Sequence, residues 1–354
     1  MLPKSRSASS GATVPQLSIV VPAFNEATNL NKLYQELQRV LPSLGMSWEL
    51  IFVDDGSKDD TLATIRTLHQ ADSRVVGLQL SRNFGHQYAV LAGLSAARGD
   101  AIICMDADLQ HPPEIIPTLI TEWRKGSKIV NTVRVDVAAL PVLKKLTSKA
   151  FYKVFSFLSG VRLEPGMADF RLFDRQALES ILSFGEQGLF LRGIVQWVGF
   201  PSSNVVFESS ARFSGQTKYT LRKMLKLSLD GITSFSVVPL RIGILIGIVT
   251  SGIAFWQMTY AIYAKVVLDV TVPGWATTIT VMSFMFGVLF ILLGLVGEYI
   301  GRVLTQVRGR PRFIINELVG FQPGEELPEH SGLNTGDWPS VVSKRSSRRE
   351  KKIP

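Results

Sequence analysis

Two stretches of this chain, Ile242–Ala264 and Thr277–Gly297, carry no charged residue over about 23 and about 21 positions. At about 1.5 Å per residue, a helix of either length crosses the roughly 30 Å hydrocarbon core of a bilayer. Gly, Ser and Thr are scattered through both runs and aromatic residues lie near their edges, a composition that suits lipid and helix–helix contact better than a soluble core. Two transmembrane helices are therefore expected, at 240–266 and 275–298. Lys218, Arg222, Lys223, Lys226 and Arg241 precede the first, and Arg302, Arg308, Arg310 and Arg312 follow the second. The link Lys265–Ala276 holds a single basic residue. The positive-inside rule then puts the remainder of the chain, both termini included, on the cytoplasmic side of the inner membrane.

The excess of 38 Lys and Arg over 29 Asp and Glu gives a net charge of +9. This charge clusters in the membrane-proximal segments and in the polar tail at 322–354, not on a reading helix or an aromatic sheet face, so nucleic acid is not an expected partner. Tyr219–Ile232 sets Leu221, Met224, Leu225, Leu227 and Leu229 against Arg222, Lys223, Lys226 and Asp230. That pattern places an amphipathic helix in the membrane interface over 218–235. Residues 1–14 read as a loose polar arm without an apolar leader, and 299–321 as a cytoplasmic juxtamembrane segment. A lone cysteine, Cys104, excludes an internal disulfide.

Between arm and membrane, at 15–217, short β-rich runs alternate with amphipathic ones. Leu17–Val21 precedes a helix over Thr28–Leu41, Glu49–Val53 precedes Thr61–Gln70, Val75–Leu80 precedes Gln87–Ala97, and Ala101–Met105 precedes Glu114–Lys125. Such alternation predicts a parallel sheet covered by helices on both faces, with ligands beyond the carboxyl ends of the strands. Polar motifs fall at those ends: Pro22-Ala23-Phe24-Asn25-Glu26, Asp54-Asp55-Gly56-Ser57, Ser81-Arg82-Asn83-Phe84-Gly85 and Asp106-Ala107-Asp108.

Asp106 and Asp108 offer hard oxygen ligands for Mg²⁺ or Mn²⁺ beside a phosphorylated substrate. His111, followed by Pro112-Pro113, reads as a turn residue. Asp54-Asp55-Gly56-Ser57 fits a turn with a helix cap, and equally a pair of acceptors for the base and ribose of a nucleotide. No Gly-x-Gly-x-x-Gly follows the first strand and no Gly-x-x-x-x-Gly-Lys-Ser/Thr is present, which argues against dinucleotide oxidoreductases and phosphate-loop NTPases.

These motifs, with Ala168-Asp169-Phe170-Arg171-Leu172 and Arg212-Phe213-Ser214-Gly215-Gln216-Thr217-Lys218-Tyr219, resemble the inverting family 2 glycosyltransferases of GT-A fold. The likeness is to the membrane-bound polyprenyl-phosphate glycosyltransferases, relatives of dolichol-phosphate mannose synthase, and most of all to their bacterial GtrB-like branch; it runs from about Leu17 to Phe313. It implies a Rossmann-like nucleotide-sugar domain joined to two spans, moving a hexose to a polyprenyl phosphate. Glucose from UDP-glucose and undecaprenyl phosphate are the expected pair, with GDP-mannose or another nucleotide sugar as alternative donor. By the same resemblance Pro22, Glu26 and Asp55 hold base and ribose, with Asn83 and Gly85 nearby. Asp106, Asp108 and Gln110 form the metal and diphosphate site, Arg134 lies near the donor phosphates, Asp169 faces the sugar, and Arg212 with Lys218 handles the lipid phosphate.

One departure is the apolar run Val135-Asp136-Val137-Ala138-Ala139-Leu140, where relatives carry more charge. The Gln-x-x-Arg-Trp motif of processive polysaccharide synthases is absent, and a non-catalytic scaffold would not need Asp106, Asp108, Asp169 and Arg212 together. Gly243, Gly247 and Gly252 leave room for a homo-oligomer packed through the spans.

Overall fold

The computed structural model describes residues 14–135, 156, 166–185, 191–208, 236–267 and 274–321. Strands β1 (Leu17–Ala23), β2 (Trp48–Asp54), β3 (Val75–Leu80) and β4 (Ala101–Cys104) are separated by helices α1 (Ala27–Val40), α2 (Thr61–Ala71) and α3 (His86–Ala96). Helix α4 (Ile116–Arg124) leads to β5 (Ile129–Val135); β6 (Met167–Asp174), α5 (Arg175–Leu182), α6 (Leu191–Trp197) and β7 (Ser202–Glu208) follow. One eight-stranded sheet results, ordered β7-β5-β6-β4-β1-β2-β3 and closed by β8 (Ile315–Val319).

Both faces of the sheet are buried, so its central strands are apolar almost without interruption. Leu17, Ile19 and Val21 of β1, with Leu50 and Phe52 of β2, pack under Leu30, Leu33 and Leu37 of α1 and Leu119 of α4. The intervening Val20, Ile51 and Val53 meet α3, α5 and α6 on the other face. Helix α3 approaches so closely that a Cβ at Gly93 would stand 2.3 Å from Val20 Cγ1. The buried Glu49 carboxylate is neutralised by Arg98 at 2.7 Å and receives the Ser18 hydroxyl at 2.6 Å.

The four expected strand–helix units are present, and two strands run against the rest. β6 is antiparallel to both β4 and β5, with Cys104 opposite Arg171. Its first residues therefore reach the edge where β4 ends. The second exception, β8, is antiparallel to β3 and has no counterpart in the sequence reading. Its polar residues disguise a strand whose partner is more than two hundred residues away: Arg66 forks onto Glu317 at 2.7 Å, and Asn316 donates to Gln79 at 2.7 Å.

Helices α7 (Val238–Val266) and α8 (Trp275–Val307) contain the two uncharged runs. Hardly any of either apolar window is buried, and Ile244, Phe255, Trp256, Phe290 and Ile291 are more than half exposed. A core helix of a soluble protein would be covered, so this surface is the kind that lipid covers. The two helices touch closely at Gly243, where a Cβ would meet Leu292 Cδ2 at 2.8 Å. Beyond Gly297 the second helix continues for several more residues, and the chain then docks on the sheet domain. Gln306 donates to the Gly185 carbonyl at 2.9 Å, the buried Arg312 to that of Phe184, and Phe313 enters the core beneath β3. Truncation of Phe313 to Ala is expected to cost about 3–5 kcal/mol of domain stability, seen as a lower thermal midpoint and as proteolytic release of the segment after α8 in detergent-solubilised protein.

Candidate active site

β1, β2 and β4 run parallel and in register, Ala23 beside Asp54 and Val20 beside Cys104, so their loops open along one edge. The strand order turns back between β1 and β4, which is where a crevice forms in such sheets.

The first two loops are knitted together. Asn25, in the left-handed region at φ 57°, donates its amide to the Ser57 hydroxyl at 2.9 Å and accepts from the Lys58 amide at 2.9 Å. Asp59 accepts from the Ala27 amide at the start of α1 and from both donors of Thr61. Burial alone would raise the Asp59 carboxyl, but these bonds outweigh it and hold the group low.

Asp55 ties the second loop to the third. Its Oδ1 receives the Phe84 amide at 2.7 Å and its Oδ2 the Gly85 amide at 2.9 Å. Burial raises its carboxyl despite those two bonds. Asp54 is the turn-former of the pair: it is fully buried and takes the Ser57 amide at 2.9 Å. Between loops, Gly56 (φ 68°) admits the backbone of Arg82, whose carbonyl carbon would lie 2.5 Å from any Cβ there. Pro22 lies in β1 opposite Val53, two residues beyond the end of the ladder with β4, Asn83 sits exposed on the third loop, and Gly85 (φ 106°) opens α3.

Asp106 and Asp108 follow β4. The Asp106 amide donates to His111 Nδ1 at 3.0 Å, which leaves the ring proton on Nε2. His111 is buried, stacked on Phe170 at 5.1 Å and edge-on to Phe207, so this histidine locks the backbone of Asp106, a stronger role than a turn residue has. Asp108 accepts the Gln110 amide at 3.1 Å, while the Gln110 side-chain oxygen takes Arg134 Nη1 at 3.2 Å. Glu26, bonded to Asn29 at 2.5 Å, is raised first by burial and further by Asp108, Asp59 and Asp106.

Asp169 arrives from the start of β6. Arg192 Nε and Nη2 grip its two oxygens at 2.8 and 2.9 Å, and Arg171 Nη2 stands 3.6 Å away. Burial pushes this carboxyl up, yet the Arg192 fork, the Arg171 charge and His86 together hold it well below the usual carboxylate range. Arg171 is itself fully buried and bonded to the Ala168 carbonyl at 2.9 Å. His86 Nε2 lies 3.5 Å from Asp106 Oδ1, linking the two acidic centres. Cys104, behind them, has its thiol pushed well up by burial and is no nucleophile.

Glu26, Asp55, Asp106, Asp108, Gln110, Arg134 and Asp169 thus all lie on or beside one sheet edge. Sequence reading gave no role to His86, Arg171 or Arg192. Arg171 sits inside a quoted motif and His86 directly follows one, whereas Arg192 has no local signal. Arg212, Lys218, the interfacial helix, the N-terminal arm and the tail lie outside the described residues.

The residues at the end of β4 fit a divalent cation. Asp106 Oδ1 is buried without a hydrogen-bond partner, and the charges of Asp106 and Asp108 bear on the nearby Glu26 carboxyl, which they help to raise. Among the described residues no third His, Cys, Asp or Glu completes a closed cage. Such an open pair suits an ion that also binds substrate phosphates.

Residues 18–182 match the family model described as "Glycosyl transferase family 2". The uncharacterized glycosyltransferase YkcC of Bacillus subtilis is 40% identical over 307 residues, 87% of this chain and 95% of that protein. The chain belongs to glycosyl transferase family 2. A prophage bactoprenol glucosyl transferase homolog of Escherichia coli is 38% identical over 86% of this glycosyltransferase and 99% of its own length. The SfII prophage-derived bactoprenol glucosyl transferase of Shigella flexneri is 37% identical over 85% and 98%. The family match of this glycosyltransferase takes in β1 to β6 and ends at the close of α5, before Arg192, β7 and both apolar helices.

Replacing Asp55 with Asn exchanges one acceptor for a donor facing a backbone amide. The expected cost is about 1–3 kcal/mol, with faster hydrogen exchange at the Phe84 and Gly85 amides.

Proposed function

We propose that the protein transfers glucose from UDP-glucose to a polyprenyl phosphate, undecaprenyl phosphate, with inversion at the anomeric carbon. The observation that carries this reading is the union, in one continuous chain, of the acidic strand-end site with two lipid-type helices whose exit strand joins the same sheet. The bactoprenol glucosyl transferase names of relatives that this chain matches almost end to end support the same acceptor and sugar.

In this reading an oxygen of the lipid phosphate attacks the anomeric carbon, a carbon–oxygen bond forms, and the bond to UDP breaks with its electron pair leaving on the diphosphate. A phosphate monoester with a second pKa near about 6 is mostly dianionic at neutral pH, so the attack needs no strong base. Asp169, gripped by Arg192, is a poor proton acceptor and serves as an electrostatic and orienting group. Glu26 and the loop held by Asp55 receive the nucleoside. Asp106, Asp108 and Gln110 would hold Mg²⁺ or Mn²⁺, and Arg134, bonded to Gln110, is assigned to the donor diphosphate. When bound, the cation offsets charge on the leaving diphosphate. Arg212 and Lys218 are assigned the acceptor phosphate, which must be neutralised before two anions can meet.

The domain limits follow the sequence reading: catalytic residues 15–217, an interfacial helix at 218–235 and spans at 240–266 and 275–298. The catalytic face is assigned to the cytoplasm. The basic residues flanking the helices support this, as does the bond from Gln306 to Gly185 that brings the end of α8 to the sheet domain.

The test is transfer of labelled sugar from a panel of UDP- and GDP-sugars to undecaprenyl phosphate by purified full-length protein with Mg²⁺, Mn²⁺ or EDTA. Lipid labelling from UDP-glucose that EDTA abolishes, and that Asp108→Ala lowers at least about a hundredfold, is expected; donor binding without lipid labelling would sink the acceptor assignment. The rate is further expected to fall below about pH 6 as the acceptor phosphate takes up a proton, with an inflection that Asp169→Glu leaves in place.

A further inference from the structure

We propose that Arg192 is a positioning residue that fixes Asp169 as the hydrogen-bond acceptor for the donor sugar, so that recognition of the sugar runs through the Asp169–Arg192 pair. The inference rests on the glycosyl-transfer reading and extends it to a residue beyond the family match.

The geometry is specific. Nε and Nη2 of one guanidinium meet the two oxygens of one carboxylate at 2.8 and 2.9 Å, a fork-to-fork pairing that a lysine cannot reproduce. Arg192 stands at the second residue of α6, and that helix is fixed from behind. Ile194 and Val195 are buried in the core under α3 and α5, and Gln196 contacts Met167 at the root of β6. The carboxylate is therefore oriented by an element that belongs to neither the first four strand–helix units nor β6. Arg171, fully buried on the same strand, adds a second positive charge 3.6 Å from Asp169 Oδ1.

A small cavity opens beside this pair, lined by His86, Gln87, Cys104, Asp169, Arg171 and Leu191 among others. Arg171, which lines it, has an Nη1 that is buried without a hydrogen-bond partner. The cavity admits no more than a water or a single hydroxyl, and its wall carries one ionised acceptor, one unsatisfied donor and the imidazole of His86, which also faces Asp106. An acceptor and a donor paired in this way can take one hydroxyl of a neutral sugar, and a site built to bond a hydroxyl strongly disfavours an analogue that lacks it. The fork occupies one lone-pair site on each Asp169 oxygen and aims the remaining ones, which can accept from such hydroxyls.

The experiment uses full-length protein in detergent with four variants: R192K, R192M, D169N and R192M/D169N. Binding of UDP and of UDP-glucose is measured separately, together with kcat and KM for transfer. R192M is expected to lower kcat by about ten- to a hundredfold and to erase the difference between UDP-glucose and UDP affinity, while UDP affinity stays within about twofold. R192K recovers only part of the loss. The double variant falls no further than about twofold below the worse single variant, because the two residues act as a unit.

Wild-type kcat and KM in R192M would overturn the proposal, as would losses that multiply in the double variant. Parallel loss of UDP and UDP-glucose binding would also overturn it, since that is the mark of a merely structural role. If R192M does not purify folded, R192K and D169N decide by the same comparison of the two ligands. A wild type that binds UDP-glucose without labelling lipid defeats the acceptor reading and leaves the pair to be judged by binding. A wild type that binds no nucleotide sugar defeats both.

Discussion

Ala23 lies beside Asp54 and Val20 beside Cys104, so three parallel strands release their chains at a single edge. That register is the condition for everything polar in the molecule. A shift of two residues in β4 would carry Asp106 about 7 Å along the strand, away from Glu26 and Asp55. The register is held by burial on both faces: Val20, Ile51 and Val53 fill one side and Ile19, Leu50 and Phe52 the other, and a slip of one residue would exchange these sets. Between the strand ends the loops are bound mainly to one another. Asn25 reaches Ser57 and Lys58, Asp59 reaches Ala27, and Asp55 reaches Phe84 and Gly85. Much of the acidic character at this edge is thus preorganisation, with several carboxylates engaged in shaping backbone.

Charge at the edge is divided in space. Glu26, Asp59, Asp106 and Asp108 form a negative group whose members raise the proton affinity of Glu26. Arg134 borders this group through Gln110 on one flank, and Arg171 and Arg192 surround Asp169 on the other. The two acidic centres consequently differ in kind. One carries an unsatisfied buried oxygen and invites a cation, while the other is already neutralised by arginine and is free only to accept hydrogen bonds. Two carboxylates at one edge with opposite needs are suited to opposite ends of an activated sugar, its diphosphate and its hydroxyls.

The sequence was most legible where local pattern and fold agree. The first four strand–helix units, the polar strand ends and both apolar helices follow from periodicity and length, because each is decided within a window of about ten to twenty residues. What it concealed depends on distant partners. β8 is written in Ile315-Asn316-Glu317-Leu318-Val319, a mixed run that becomes a strand only because β3 leaves an edge to pair with and Arg66 awaits Glu317. Arg192 belongs to no motif, and its meaning comes from Asp169, which precedes it by 23 residues. His111 could be seen but not interpreted, since its value lies in accepting the Asp106 amide while it is stacked on Phe170 and set edge-on to Phe207.

The return of the chain through Phe313 and β8 has a mechanical result. A catalytic domain joined to its membrane helices by one connection could swivel about that connection. Here the exit from α8 is fastened by Gln306, Arg312 and a strand ladder, while Tyr299 donates to the Ser236 carbonyl at the base of α7 and ties the two helix roots together at 2.7 Å. That ladder is with β3, the strand from which the loop held by Asp55 emerges. The helix roots and the strand ends are therefore fixed to one another through a single strand, and the loop held by Asp55 keeps one position relative to the helix pair.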